Sequence, residues 1–226
     1  MRRFFQPMTY SRRRLRYASA PLLGASCLAA AIGCSSGPSR VEPPSIDAGG
    51  AASQAMETYD KDGDGAIAGA ELDAATSLKA SMATLDTNKD GKVQEDEIVA
   101  RIEAWQATGI GATLTQSRVT LDGKPVAGAQ VTFEPEPFLG DEMRTAIGET
   151  SANGIAIVSV PKEQRARPDW PAGIQLGFFK VRINKEVNGQ ESIPAQFNKE
   201  TILGQQVAPD DPALQSQLIK LDMKTK

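Results

Sequence analysis

The chain has 226 residues, enough for one or two small domains, and its 40 % hydrophobic but only 5 % aromatic side chains give a modest, aliphatic core. It contains no histidine, which excludes a Ser-His-Asp arrangement, removes the commonest general base and leaves few routes to a zinc site. The net charge of −3 gives no footing for nucleic acid, and the only two cysteines, Cys27 and Cys34, lie too close to the N-terminus to staple the rest of the chain.

Residues 1–33 hold six arginines, at positions 2, 3, 12, 13, 14 and 16, and no acid. An apolar, small-residue run follows from Tyr17 to Gly33. A basic region followed by such a run reads as a secretory signal peptide, and the run is too short and alanine-rich for a membrane-spanning helix. Removal of 1–33 would take all six arginines and move the net charge from −3 to −9. The run ends in Ala31-Ile32-Gly33-Cys34, which resembles a bacterial lipobox. That resemblance implies acylation at Cys34 and a chain exported and lipid-anchored to the cell envelope, at the periplasmic face or the cell surface. Plain cleavage and secretion is the alternative. The segment Ser11-Arg12-Arg13-Arg14-Leu15 also partly resembles a twin-arginine export signal. From 34 to 50 the composition is Ser, Gly, Pro and small residues, which predicts a flexible tether reaching about 20–25 Å.

Two copies of one spacing follow. The first reads Asp60-Lys-Asp62-Gly-Asp64-Gly65, five residues, then Glu71. The second reads Asp86-Thr-Asn88-Lys-Asp90-Gly91, five residues, then Glu97. Both fit D-x-[DN]-x-[DN]-G-x5-E. Oxygens at loop positions one, three and five converge as the chain turns, and the glycine at six makes the turn sharp. The carbonyl of position seven, here Ala66 or Lys92, adds a ligand, and the glutamate at twelve closes a shell suited to a hard cation. Calcium is the expected ligand. Apolar residues at helical spacing flank the loops: Ala52, Met56 and Tyr59; Leu78, Met82 and Leu85; Ile98, Ile102 and Trp105. Ile67 and Val93, at position eight, suit a short bridge between paired loops. The loop starts lie 26 residues apart, which leaves room for little more than one turn of exiting helix at Leu72–Ala75, and Ser77 is a candidate N-cap for the next helix. Residues 51–108 thus resemble a pair of EF-hands. Loop one offers four carboxylates and loop two three with an amide. Lys89 and Lys92 lie inside loop two, so loop one is expected to bind more tightly.

From about Ala112 the pattern changes to alternation. Strands are predicted at Val119–Leu121, Ala129–Phe133, Ile155–Val160, Phe179–Ile183 and Leu218–Met223, with turn signals at Asp122-Gly123 and Asn153-Gly154. This predicts an antiparallel β-sandwich of about seven strands over 112–226. Val119-Thr-Leu-Asp-Gly-Lys-Pro-Val-Ala-Gly-Ala-Gln-Val-Thr-Phe133, Gly148–Gly154 and Gly177-Phe-Phe-Lys-Val-Arg-Ile183 resemble carboxypeptidase regulatory-like, transthyretin-like domains. Ile193–Asn198 is similar to a segment of planctomycete lipoproteins of this type. The expected fold class is therefore α+β in two domains, a small helical EF-hand pair followed by an antiparallel β-sandwich. The resemblance specifies fold rather than activity, and no peptidase domain is present.

The expected function is a non-enzymatic, calcium-binding, lipid-anchored envelope protein. Its expected partners are calcium, the membrane through the N-terminal lipid, and an envelope protein or polysaccharide held by the sandwich; nucleic acid is not expected. The alternatives are a secreted glycan-binding module, with Trp170 as a stacking platform, and a hydrolase with paired carboxylates drawn from Glu134, Glu136, Asp141 and Glu142. A solvated acidic loop is the plainer reading of those four acids, and a cap on the sandwich edge is the plainer reading of Trp170.

Overall fold

The computed structural model describes residues 41–225. The segment 1–33, expected as a signal peptide, and Cys34, the expected acylation site, lie outside them. The described residues fall in one compact unit, a mixed α/β body of helices and mainly antiparallel sheets.

Helix α1 runs Ala48–Tyr59, capped by Asp47, whose side chain accepts from the Gly50 N–H at 3.2 Å. Ala51, Ala52, Ala55 and Tyr59 form its buried stripe. The first loop leads to strand β1 (Ala66–Ile67) and a short α2 (Gly69–Ala74). Next come α3 (Thr76–Ala80) and α4 (Met82–Leu85), two single turns where one helix over Ser77–Leu85 was expected. The break falls at Ser81, whose hydroxyl bonds back to the Ser77 carbonyl at 2.6 Å. The N-cap of α3 is Ala75, not Ser77, and the Ser77 side chain is fully buried. After the second loop, β2 (Val93–Gln94) pairs with β1, and α5 (Glu95–Thr108) ends on Gly109 at φ 64°. Three acids in the first turn of α5 face its positive dipole end.

The β half comprises β3 (Thr115–Leu121), β4 (Lys124–Pro125), β5 (Gln130–Pro135), β6 (Ala146–Glu149), β7 (Ile155–Val158), β8 (Gly177–Asn184), β9 (Glu186–Val187), β10 (Gln190–Glu191) and β11 (Leu203–Val207). Helix α6 (Pro212–Gln215) and β12 (Leu218–Met223) close the chain. One sheet has the order β11-β8-β5-β6, and the other joins β12, β3 and β4, with β7 also on β3. A bridge between Ile147 and Ser159 ties the two together. Seven strands of four or more residues match the expected number. One pairing departs from the expected antiparallel pattern: β12 lies parallel to β3, from Leu218–Gln116 to Met223–Leu121.

Period-two alternation along β8 explains how the helices are placed. Phe179, Val181 and Ile183 point to one face and are fully buried between the sheets. Phe178 points to the opposite face, which would be solvent in a two-layer sandwich, yet it is also fully buried. Trp105 of α5 stacks edge-on against it, with ring centroids 4.6 Å apart. The helical layer therefore covers the outer face of this sheet, and one hydrophobic cluster runs from Ile46 through the helices to Met223. Helix α3 lies along β11, so the strand that would form an open edge is covered.

Over its described part, 41–50, the expected tether of 34–50 is instead packed chain. Pro44 and Ile46 are buried, α1 begins at Ala48, and the Gln106 amide donates to the Ile46 carbonyl at 2.7 Å. Residues 41–50 thus belong to the packed body. Among the described residues no helix is long and apolar enough to cross a membrane.

Candidate metal centre

The two loops share most of their internal wiring and differ at the first acid, which accepts from positions four and six in loop one and from five and six in loop two. In loop one, Asp60 accepts from the N–H groups of Gly63 at 2.8 Å and Gly65 at 3.0 Å. Asp62 accepts from Asp64, and Asp64 from Ala66. Glu71 reaches back across the loop to the N–H groups of Lys61 at 2.6 Å, Asp62 at 3.2 Å and Ala68 at 3.2 Å. In loop two, Asp86 accepts from Asp90 and Gly91, Asn88 from Asp90, and Asp90 from Lys92. Glu97 takes Thr87 at 2.8 Å, Asn88 at 3.4 Å and Gln94 at 3.1 Å. Position twelve thus folds over positions two, three and nine in each. Position six needs its glycine, because Gly65 and Gly91 sit at φ 86° and 80°. The loops lie side by side through β1 and β2, with Ile67 opposite Val93 as position eight predicted.

The donor chemistry fits a hard divalent cation: every side chain expected to ligate carries oxygen, none carries nitrogen or sulfur as its natural donor. Asp60, Asp62 and Glu71 each place an oxygen within 4.8 Å of the others. The Asn88 amide nitrogen instead donates to Asp90 at 3.0 Å. Backbone N–H bonds hold the carboxyls of Asp64, chiefly through Ala66, and Glu71, chiefly through Lys61, below the usual carboxylate range. Lys92 lies in loop two, but its ammonium reaches Asp64 of loop one at 3.2 Å. Its competing charge therefore bears on loop one as well.

With four carboxylates against three and an amide, loop one should remain the tighter site even with Lys92 at Asp64, so Glu71→Gln should weaken calcium binding more than Glu97→Gln. The loss should reach at least the 10–100-fold typical when even supporting groups of a metal site are removed. Isothermal titration of the two variants tests the order, and a larger loss in Glu97→Gln reverses it.

Three links fasten the helical layer to the sheet, and the sequence reading found none of them. Glu136 is 1 % exposed. It accepts from the Tyr59 hydroxyl at 2.9 Å and the Ser77 hydroxyl at 2.6 Å, with the Lys180 ammonium at 3.5 Å. Burial, then the Glu136 charge, raises the Tyr59 phenol well above its ordinary range, so it remains a donor. Arg101 of α5 is buried and grips Asp210 with two bonds of 2.7 Å, which lowers the Asp210 carboxyl. Gly204 of β11 touches the α3 backbone.

The four acids considered as a hydrolytic pair have separate duties. Glu134 accepts from Arg182 at 2.7 Å, Glu142 from the Ser45 N–H at 2.8 Å, and Asp141 is exposed. Glu136 is the exception to a solvated acidic loop, because three partners from other elements bury it. The signal that could have found it is its place beside Pro135 and Pro137, where the strand ends under the helices. Compared with family models, curated proteins and solved structures, the chain matches none of the three.

Proposed function

We propose that this chain is a calcium-binding, lipid-anchored cell-envelope module, not an enzyme. Its helical part is an EF-hand pair, and its transthyretin-like sandwich serves binding or assembly. The observation that carries the reading is the side-by-side pair of loops, each closed by its position-twelve glutamate over the same three positions, with the Asp60, Asp62 and Glu71 oxygens converging within 4.8 Å. Bound calcium supplies the divalent charge that offsets the mutual repulsion of these carboxylates. Asp60 and Asp86 then fix the ends of α1 and α4, while Glu71 and Glu97 fix the starts of α2 and α5.

The packing favours a rigidifying role over a target switch. Switching EF-hand proteins open to expose a hydrophobic groove. Here Leu78 of α3 and Ile98, Ile102 and Trp105 of α5 are already buried in the one hydrophobic cluster, with α3 along β11 and Trp105 against Phe178. Calcium would therefore stiffen the helical layer against the sheet that it covers. The lipid anchor at Cys34 rests on the sequence alone.

Calorimetric titration of the full chain, with melting curves in calcium and in chelator, tests the proposal. Two sites filled to a hundred times their Kd should add about 5 kcal/mol, at about 2.7 kcal/mol each. For a body of this size that is a rise of about 10–20 °C in Tm. No heat and no shift at millimolar calcium overturns it.

A further inference from the structure

Where the N-terminal arm, residues 41–46, meets the sheet lies a pocket of ≈ 370 Å³, lined by no residue of either calcium loop. Its volume is within the range of small-ligand pockets, about 300–1,000 Å³. Half-buried Trp170 forms part of the wall, with Arg144, Arg165, Glu142 and Gln175 around it. These groups are held in place. Arg165 donates through Nε to the Val160 carbonyl and through Nη1 to the Trp170 carbonyl, both at 3.0 Å, so guanidinium and indole share one frame. Gln175 accepts from the Arg144 N–H at 2.8 Å and donates to the Glu142 carbonyl at 3.0 Å. The Glu142 carboxylate takes the Ser45 N–H of the arm.

Part of the polar capacity is left over, although Arg144 Nη1 donates to the Asp141 carbonyl. Neither arginine is ion-paired with a carboxylate among the described residues. The Trp170 indole N–H is buried and has no acceptor among them. The charges of the lining cancel in number, Arg144 and Arg165 against Glu142 and Glu42.

We infer that this pocket binds a neutral saccharide, one or two sugar units of a longer glycan. A sugar ring offers an apolar C–H face to the indole and a rim of hydroxyls, each both donor and acceptor. A guanidinium fork, a carboxylate and an amide together satisfy such a rim. An anionic ligand would want an excess of cations, and an aliphatic one would leave the polar wall unpaired. This deepens the reading of the sheet body as a binding module, and it is independent of calcium because the loops do not line the pocket.

The full chain is titrated with cellotriose, tri-N-acetylchitotriose and maltotriose, in calcium and in chelator, following heat and tryptophan fluorescence. Trigalacturonate and a proline-rich peptide are the comparison ligands. At least one neutral trisaccharide should bind, equally in both buffers, and Trp170→Ala should weaken it about tenfold or more. Arg165→Gln can also loosen the Trp170 loop, so Arg144→Gln is the second variant, with an expected loss of about fivefold. Melting curves show that the variants are folded. The proposal is overturned if no neutral trisaccharide binds at millimolar concentration, if trigalacturonate or the peptide binds more tightly, or if folded Trp170→Ala binds unchanged. A failed calcium titration with intact sugar binding would strike the calcium reading alone.

Discussion

Replacing Gly204 by alanine is expected to destabilise the protein by about 3 kcal/mol or more, as an overpacked contact together with lost burial. A Cβ on Gly204 would stand 2.0 Å from the Thr76 carbonyl oxygen, 2.3 Å from its carbon and 2.5 Å from the Ser77 nitrogen. These are backbone atoms, so no side chain can rotate away. Either β11 or α3 must move. Moving α3 draws Ser77 and Leu78, both fully buried, out of their sites. The Ser77 bond to Glu136 would go with them. Urea unfolding of Gly204→Ala beside Gly49→Ala is the measurement. Gly49 lies in α1, where an added Cβ would meet only an Asp47 oxygen at 3.8 Å, so alanine there should be neutral or stabilising by up to about 1 kcal/mol. A Gly204→Ala protein as stable as the parent would show that the helical layer is not seated on β11 as described.

The two acidic loops were legible because their oxygen-bearing residues recur at fixed offsets within a dozen residues. Asp60 to Glu71 and Asp86 to Glu97 are local objects, and so is the position-eight pairing of Ile67 with Val93. The short α2 was legible from the 26-residue spacing alone. Strands such as Phe179–Ile183 were legible from alternation. What stayed hidden depends on contacts far apart in the chain. Phe178 and Phe179 are equally apolar, and nothing local shows that the first meets Trp105 and the second meets Phe133. The parallel pairing of β12 with β3 joins segments about a hundred residues apart. Strands β6 and β11 lack clean alternation and were missed. Ser77 resembled a cap because Ser is a good cap, but Glu136, a distant partner, uses its hydroxyl instead. The arm at 41–46 was disguised by its composition: prolines and small residues read as a tether, although Pro44 and Ile46 are buried.

Replacing Glu136 by alanine is expected to cost about 3–5 kcal/mol, the range for removing one partner of a buried charged cluster. The loss has identifiable parts. The Tyr59 and Ser77 hydroxyls would each remain buried without their acceptor, at about 1–3 kcal/mol apiece. Lys180, whose ammonium lies over the Tyr59 ring at 5.6 Å, would lose its counter-charge but is partly exposed and can turn to water. Glu136→Gln keeps a carbonyl acceptor and most of the volume, so it should cost less than half as much. The consequence should extend to the metal. Tyr59 immediately precedes Asp60, the first ligand of loop one, so the contact that anchors Tyr59 also fixes where that ligand stands. Linkage is reciprocal: if calcium in loop one steadies the end of α1 on Glu136, then Glu136 must raise calcium affinity in loop one by the same factor. Loop two meets Glu136 only through Ser77, nine residues before Asp86, and its entering turn is held instead by Thr84, whose hydroxyl hydrogen-bonds the Gln206 side chain at 3.0 Å. Glu136→Ala should therefore lower the calcium affinity of loop one while sparing loop two, and its unfolding free energy should depend less on calcium than the parent's. Urea unfolding at several calcium concentrations, beside titration of the double variants with Glu71→Gln and Glu97→Gln, separates the two loops. A uniform loss at both loops, or none, would mean that the cluster only holds the layers together and does not speak to the metal.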